Sequence, residues 1–538
     1  MYNIVSLQSF TVFSEYFIAL SIIYILIVVT LITYNSYGLM LQKGLSECIA
    51  LVLFMSCYLM VNDDLIALEF LSFNQSIIND YFGFFTKFIV CFFSGVFFLF
   101  IADSLKEQRL TSFEYLIILL FAVLGLMLMC NSNDLLITYL SIELSSLAFY
   151  VLASFRKVSS YSVESGVKYF ITGAVSSALF LLGSSFIYGS TGSINFNDFF
   201  DFFSCSFFYV FPFRHASWLL EEQPAIYLWF LIKESEGYFD LPNDVYESHI
   251  VELGLALVMF SLFIKLALAP FHLWSLDVYE GSPTASTFFF AVISKLSVFV
   301  VLIRICYGSF YGIKECWQFY SLWIGLLSIF VGAFGGLKQR KLKTLLAYSS
   351  ISHMGYLLIS ISTSVTLGVH MFLFYMIIYM ISGLVIWSSI LFVRLKRKNN
   401  IIKYNKELGD LALLRKSNLP LALAFSLSMF SMAGIPPLIG FLAKLSIFLP
   451  FIIYEYYLIA LASVFCSVIS TFYYIRIVKI LYFENLLVGK LYYPINSEKT
   501  IILSILTFSL IFLFINPTIL YLFCYKVILL LIPVPHMY

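Results

Sequence analysis

Lys265, Lys295 and Lys444 each stand inside a long apolar run, and so does Glu143. Lys265 lies in GLALVMFSLFIKLALAPFHLW, with eleven or more residues between it and Glu252 or Asp277. At about 1.5 Å per helical residue, that is roughly 17 Å from either polar end. A bilayer's hydrocarbon core is about 30 Å thick, so this ammonium falls near mid-membrane, too deep for its own stem to reach the headgroups. Glu143, in NDLLITYLSIELSSLAFYVLASFRK, is nine residues from Asp134 and thirteen from Arg156. Lys295, in STFFFAVISKLSVFVVLIR, is nine residues before Arg304. Lys444, in GIPPLIGFLAKLSIFLPFIIYE, is eleven before Glu455. Charge at such depth is costly, and intramembrane ionisable groups concentrate where protons or ions move. One acid and three bases at similar depth are the parts of a proton-transfer chain, because a buried unpaired lysine is a titratable group rather than a fixed cation. Static interhelical ion pairs are the alternative. A single glutamate can satisfy one lysine in that way and leaves two unexplained.

Other charges carry less weight. Lys168 follows Glu164 by four residues, so an ordinary i,i+4 pair accounts for it as well as a relay role does. Lys87 is near the start of its apolar run and is expected to snorkel. Asp277 and Glu280, in SLDVYEGSP, are expected in a solvated loop, with an entrance or an inter-subunit contact as the sharper alternative. His353, in AYSSISHMGYLL, sits among Tyr348, Ser349, Ser350 and Ser352, a polar stretch that could hold water between the lysines. His272 follows Pro270 and could line the same region. For both histidines a satisfied interior ring is the competing reading.

The elements that position these groups follow from hydropathy. Of 538 residues, 61% are hydrophobic and only 11% charged, far beyond what a soluble core needs. Continuous apolar runs of about 18 residues or more predict an all-α polytopic membrane protein, not a barrel of alternating strands. About fourteen transmembrane helices are expected, near 15–34, 45–61, 82–102, 114–131, 134–155, 164–189, 251–272, 284–307, 318–337, 343–363, 366–393, 420–448, 452–481 and 500–524. The first run lacks the features of a cleaved signal peptide and is expected to be retained. Basic residues are distributed about twenty to three in favour of loops that follow odd-numbered spans. The positive-inside rule then puts those loops in the cytoplasm or matrix, and both termini and the acidic 190–250 linker on the other side.

Two spans should be broken. Pro270 comes five residues after Lys265, and Pro436-Pro437 seven to eight before Lys444. Proline removes a backbone donor, and broken helices at membrane depth are tolerated only within protein or beside a wet cavity. Two lysine-bearing broken helices five spans apart imply two inverted five-helix repeats. The expected division is 1–105 for three N-terminal spans, 106–310 and 311–485 for the repeats, and 486–538 for a last span and tail. Nine scattered cysteines form no C-x-x-C pair, and there is no P-loop or dinucleotide fingerprint, so no cofactor or metal is expected in this chain. The net charge of +1 gives no sign of a nucleic-acid partner. The abundance of Phe (59) and Tyr (37), both with A/T-rich codons, fits an organellar genome.

The segments NDLLITYLSIELSSLAFYVLASF, SVESGVKYFITGAVSSALFLLGSSFIYGSTGS, FIKLALAPFHLWSLDVYEGSPT, KTLLAYSSISHMGYLL and AGIPPLIGFLAKLSIF resemble the antiporter-like membrane subunits of respiratory complex I. The resemblance covers roughly 114–450. It implies a proton-translocating module of an NADH:ubiquinone oxidoreductase in the mitochondrial inner membrane, without a redox centre of its own. FMN, iron–sulfur clusters and ubiquinone would belong to partner subunits. Partners would be other membrane-arm subunits, neighbouring antiporter-like ones included, and lipids. The resemblance places Glu143, Lys265, Lys295 and Lys444 on family positions in that order along the path. Lys168 falls on a family lysine and His353 on the histidine of the S-H-M-G-Y motif. The 190–250 linker is longer than the family pattern and is expected to be an exposed insert, a contact for accessory subunits. Related modules serve cation/proton antiporters, which leaves a sodium/proton exchanger component, or a non-transporting scaffold, as alternatives. A mostly lysine axis disfavours sodium, which needs oxygen ligands.

Overall fold

The computed structural model describes residues 12–32, 38–61, 70–108, 110, 112–210, 245–363, 366–396, 402–404, 407–412, 414–484 and 495–529. The chain opens with α1 (Phe13–Ile32), α2 (Gly38–Val61) and α3 (Tyr81–Ile101), with a two-strand antiparallel hairpin, Phe70–Ser72 against Ile77–Asn79, before α3. There follow α4 (Glu114–Asn131), α5 (Leu135–Ser154), α6 (Ser160–Thr191), α7 (Phe196–Val210), α8 (Val245–Leu266), α9 (Leu273–Gly281), α10 (Thr284–Val292) and α11 (Ser294–Ile303). The remainder is α12 (Lys314–Gly336), α13 (Leu342–Thr363), α14 (Thr366–Phe392), α15 (Leu419–Ala433), α16 (Ile439–Ile453), α17 (Tyr457–Tyr482), α18 (Ser497–Ile515) and α19 (Thr518–Leu529). A second small hairpin, Arg394–Lys396 with Ile402–Tyr404, follows α14.

Among the described residues, 13 helical spans are long and apolar enough to cross a membrane. The expected span at 420–448 is a further one, divided into α15 and α16, each too short to cross alone. At the division Gly434 takes a left-handed φ of 80°, and its N–H bonds back to the Phe430 and Ser431 carbonyls. Only glycine adopts that φ without cost. Gly440 at the start of α16 packs so tightly on α15 that a Cβ would lie 1.8 Å from the Ser431 carbonyl oxygen.

The other break runs from Ala267 to His272, between α8 and α9. Carbonyls released there need donors. The Trp274 indole supplies one, to the Ile264 carbonyl at 3.0 Å, and the Leu268 N–H reaches the Phe263 carbonyl at 3.1 Å. Asp277 and Glu280 are on helix α9, not in a loop; the chain resumes its helix after Pro270 because this segment packs on α6 and α13. A third interruption was not legible in the sequence. The span at 284–307 divides at Ile293 into α10 and α11, directly before Lys295. The Ser294 hydroxyl donates to the Phe290 carbonyl at 2.9 Å, the kind of back-bond that bends a helix.

Helix α14 is the axis of the bundle: every residue from 368 to 392 is buried. It packs on α3, α10, α13, α15, α16, α18 and α19. Helices α6 and α8 meet at Gly183 and Gly254, where a Cβ on either would stand within 3 Å of the other's carbonyl oxygen. Small residues allow such backbone approach where the hydrophobic effect does not drive association.

Charged pairs fasten the first three helices. Lys87 does not snorkel; it is 2% exposed and pairs at 3.1 Å with the buried Glu15 of α1. Asp80 caps α3 by accepting from the Gly83 N–H at 2.9 Å and receives Arg304 at 2.7 Å. Arg304 opens a π-helical turn, Arg304–Ser309, and its Nε also donates to the Cys130 carbonyl. At the other end of α3, Lys499 of α18 pairs with Asp103 at 2.8 Å.

The linker expected as an exposed insert at 190–250 is different in its first part. Helix α7 buries Phe199, and Phe199 and Phe203 lie against Phe310 with ring centroids 5.4 and 5.3 Å apart. An amphipathic run of phenylalanines gains more by covering this turn than by facing water. Residues 211–244 lie outside the described residues.

Arg304→Leu leaves Asp80 buried without its partner and should destabilise the protein by about 3–5 kcal/mol. Thermal melting of the purified membrane assembly checks this, and an unchanged melting temperature would show that the tie carries no weight.

Candidate proton-transfer site

Lys265 occupies the last turn of α8, just before the break. A cation is favoured there by the helix dipole. Its Nζ donates to the Tyr150 hydroxyl of α5 at 3.2 Å and lies 5.7 Å from the centre of that ring. Tyr150 is held in place by Gly173 of α6: a Cβ there would be 1.7 Å from the tyrosine oxygen. Tyr150 also meets Tyr169, which stacks on Trp274 at 4.7 Å.

Glu143 lies about two turns before Tyr150 on the same face of α5. Its Oε2 accepts from Ser146 at 3.4 Å, and its buried Oε1 has no hydrogen-bond partner. Among the described residues no lysine comes within 4.0 Å of it, so a static Glu143–Lys265 pair is not what this structure contains.

Lys265 and Lys295 line one cavity of about 30 Å³ between α4, α5, α8 and α11, together with Ser145, Ser146 and Ser294. About 10–15 Å³ is enough for one water, so this volume suits roughly two. Lys295 is 6% exposed, and its Nζ stands 5.8 Å from the centre of the Tyr379 ring of α14. Tyr379 in turn lines a second cavity, about 10 Å³, shared by His353, Tyr375 and Lys444. That is room for about one water. Tyr379 therefore stands between the two lysine-bearing cavities, and its hydroxyl is fixed by the Ala291 carbonyl at 3.1 Å.

Lys444 of α16 folds back over the helix break. Its Nζ donates to the Ala433 carbonyl at 2.8 Å, the last residue of α15, and its stem lies against Gly434. Like Lys265, it is an ammonium at the carboxyl end of a half-helix. His353 of α13 is fully enclosed and bonded at both ring nitrogens, Nδ1 with the Tyr375 hydroxyl at 2.5 Å and Nε2 with the Tyr474 hydroxyl at 3.0 Å.

The structure therefore sets Lys265 and Lys295 on one cavity, with Glu143 bonded to Ser146 of its wall, and His353 and Lys444 on the next, a line joined at Tyr379. Lys168 is off that line. It is 43% exposed in its side chain and bonds Glu164 at 2.7 Å and Asp277 at 2.6 Å, on the lateral surface of α6 and α9. The i,i+4 pair expected from the sequence is present, and Asp277 is a partner that spacing could not supply. His272 has a buried Nδ1 without a partner and lines neither cavity. Tyr150, Tyr375, Tyr379 and Tyr474 were missed by sequence reasoning. With 37 tyrosines in the chain, nothing distinguishes these four before the helices assemble. Among the described residues no group of His, Cys, Asp or Glu is arranged to hold a metal ion.

The fold and this line of buried bases define a class. Residues 132–470 match the family described as NADH:quinone oxidoreductase/Mrp antiporter, transmembrane, and the chain belongs to that family. It is 36% identical over 427 residues to NADH-ubiquinone oxidoreductase chain 2 of Marchantia polymorpha, covering 79% of each. It is 37% identical over 415 residues to NADH-quinone oxidoreductase subunit N of Pelagibacter ubique, covering 77% of this chain and 78% of that one. Its fold matches a chain of respiratory complex I from Thermus thermophilus with a TM-score of 0.71 at 22% identity, covering 94% of this chain and 98% of that chain. The protein is thus a multi-pass, antiporter-like membrane subunit of the complex I type, one part of an oxidoreductase complex.

Gly173→Ala must push the Tyr150 oxygen away from Lys265. Proton translocation by the assembled complex should fall in the same direction as with Tyr150→Phe, while the amount of complex on a native gel changes little. Pumping that stays at the unaltered level would separate Tyr150 from the site.

Proposed function

We propose that this chain carries protons through the membrane arm of a mitochondrial NADH:ubiquinone oxidoreductase, along Glu143, Lys265, Lys295, His353 and Lys444. What supports the reading is the sharing of cavities: Lys265 and Lys295 line one, His353 and Lys444 the next, and Tyr379 stands between them. The chain would work as two inverted five-helix repeats, 106–310 and 311–485, after three N-terminal spans and before a C-terminal span. Its basic loops would face the matrix and its termini the intermembrane space.

In this reading Glu143 is the switch. With its carboxylate beside Lys265, the ammonium is held charged. A unit charge at about 4 Å is worth roughly 4 kcal/mol at an effective dielectric of 20. That is about a thousandfold in the distribution of a proton between otherwise similar bases. When Glu143 turns to Ser146 and Lys265 to Tyr150, as in this structure, the direct pair is open and the hold is weakened. The proton then moves through cavity water to Lys295, and past Tyr379 to His353 and Lys444. Lys168, with Glu164 and Asp277, would set the charge at the lateral entrance rather than carry the proton along the axis.

Driving energy would arrive from partner subunits holding flavin, iron–sulfur clusters and ubiquinone, since no redox motif is evident in this sequence. Neighbouring antiporter-like subunits, other membrane-arm subunits and lipids would surround it, with accessory subunits at the 190–250 linker.

Lys265→Ala and Glu143→Ala, in an assembled complex reconstituted in vesicles, should each lower the protons moved per NADH oxidised. Full pumping by both variants would sink the proposal. Replacing sodium by choline should leave proton movement unchanged; dependence on sodium would favour an exchanger role. Lys444→Met keeps the stem and removes the charge, so undiminished pumping would point to a packing role for that lysine.

A further inference from the structure

His353 does not end in its cavity. Its Nδ1 faces Tyr375, which lines the cavity of Lys444, while its Nε2 faces Tyr474 of α17, outside that cavity. The next residue, Tyr473, is also fully buried, with its ring centre 4.5 Å from that of Tyr474. The hydroxyls of Ser352 and Ser470 lie beside Tyr473, and that of Ser349 beside Tyr474. Yet the buried Tyr473 oxygen completes no hydrogen bond to any described group. A buried phenol set among the hydroxyls of Tyr474, Ser352 and Ser470, with none in full bonding geometry, is where an ordered water is expected.

The cluster points toward the basic-loop face. Arg476 is three positions beyond Tyr473 on the same side of α17. Its two terminal nitrogens donate to the Leu337 and Gln339 carbonyls at 2.8 and 2.5 Å, in the turn that ends α12. Its Nε is buried and lacks a partner. Tyr473 packs on that same turn, since a Cβ on Gly336 would be 2.9 Å from its ring. Two buried polar atoms without a bonded partner, one helical turn apart, therefore lie on the stretch of α17 between the level of His353 and the loop. At about 1.5 Å per residue, the eleven positions from Leu342 to His353 put the imidazole roughly 16 Å below that face. Two tyrosines and an arginine are long enough to bridge most of it.

We propose that Tyr474 and Tyr473 form a hydrated hydroxyl branch that passes protons between the basic-loop face and His353. The inference rests on the proton-carrying reading above and adds to it an opening in the second half of the chain. The step leaves no net charge on either tyrosine. A proton arrives at the Tyr474 oxygen from the Tyr473 side as the Tyr474 hydroxyl proton moves to the unprotonated Nε2 of His353. The imidazole releases its Nδ1 proton to the Tyr375 oxygen, whose own proton passes into the cavity of Lys444. The reverse sequence carries a proton outward.

The test compares Tyr474→Phe, Tyr473→Phe, Tyr356→Phe and Lys444→Ala in the intact complex reconstituted in vesicles. Each phenylalanine keeps the ring packing and removes one oxygen. Tyr356 is an equally buried tyrosine of the same cluster, bonded at 2.9 Å to the Ser463 carbonyl and not on the branch, so it reports the structural cost of a lost hydroxyl. Tyr474→Phe and Tyr473→Phe should lose most of the protons moved per NADH, while Tyr356→Phe loses little. NADH oxidation by ferricyanide and the amount of assembled complex check integrity in each. Pumping by both branch variants at the Tyr356→Phe level, with Lys444→Ala impaired, overturns the branch and leaves the axis standing. Normal pumping by Lys444→Ala as well would remove the role of Lys444 on the axis itself.

Discussion

An ammonium in the middle of a membrane must have an oxygen within reach, and the arrangement of this bundle follows from that demand. Lys444 finds the Ala433 carbonyl, set free because α15 ends where it does. Lys265 sits in the last turn of α8, where the helix also ends early. In both places a half-helix turns its carboxyl end toward the lysine, so fixed backbone dipoles do what water would do outside. An unbroken helix would offer no free carbonyl at this depth. The breaks are one way to hold a buried lysine; Lys87 is held by Glu15 instead, and Lys295 by the face of the Tyr379 ring.

The breaks impose their own requirements. Gly434 must be glycine for its φ, and because the Lys444 stem lies against it. Gly440 must be small for α16 to reach α15, and Gly173 for Tyr150 to reach Lys265. Around these contacts α14 supplies a buried wall whose Tyr375 and Tyr379 line the second cavity, with Tyr379 also lying beside Lys295. The cavities are small, sized for one or two waters, and this matters chemically. A wider channel would hydrate the lysines fully and weaken any influence of Glu143; a dry one would stop a proton from passing. The ion pairs of Lys87 with Glu15, Arg304 with Asp80 and Lys499 with Asp103 stand apart from this line and fasten the outer helices to it.

Much of this was legible in the residues. The apolar runs gave the helices, and Pro270 and Pro436-Pro437 marked two breaks within a few residues of where the helices part. The charged residues inside those runs named the lysines and Glu143. Other features were misread for physical reasons. Lys87 looked able to snorkel because depth was counted along its own helix, and Glu15 is brought to it only by packing. Asp277 and Glu280 looked like loop residues because a proline and a glycine bracket them, yet α6 and α13 hold that segment helical. The kink at Ile293 has no proline or glycine to announce it. The linker after α6 looked exposed, and its phenylalanines instead cover the turn at Phe310.

By itself the sequence determined that this chain crosses a membrane many times and that four charges stand inside apolar runs, far from the polar ends of their spans. Both are one-dimensional facts: hydropathy sets the spans, and counting from polar ends sets the depth. Tertiary structure alone decided who meets whom. It put Tyr379 between Lys295 and Lys444, gave His353 a tyrosine at each nitrogen, and turned Glu143 to Ser146 rather than to a lysine. It also left Lys168 on the flank with Asp277. Contacts across helices depend on rotation and crossing as well as depth, and those are fixed by close packing at glycines and aromatic rings that no single segment encodes.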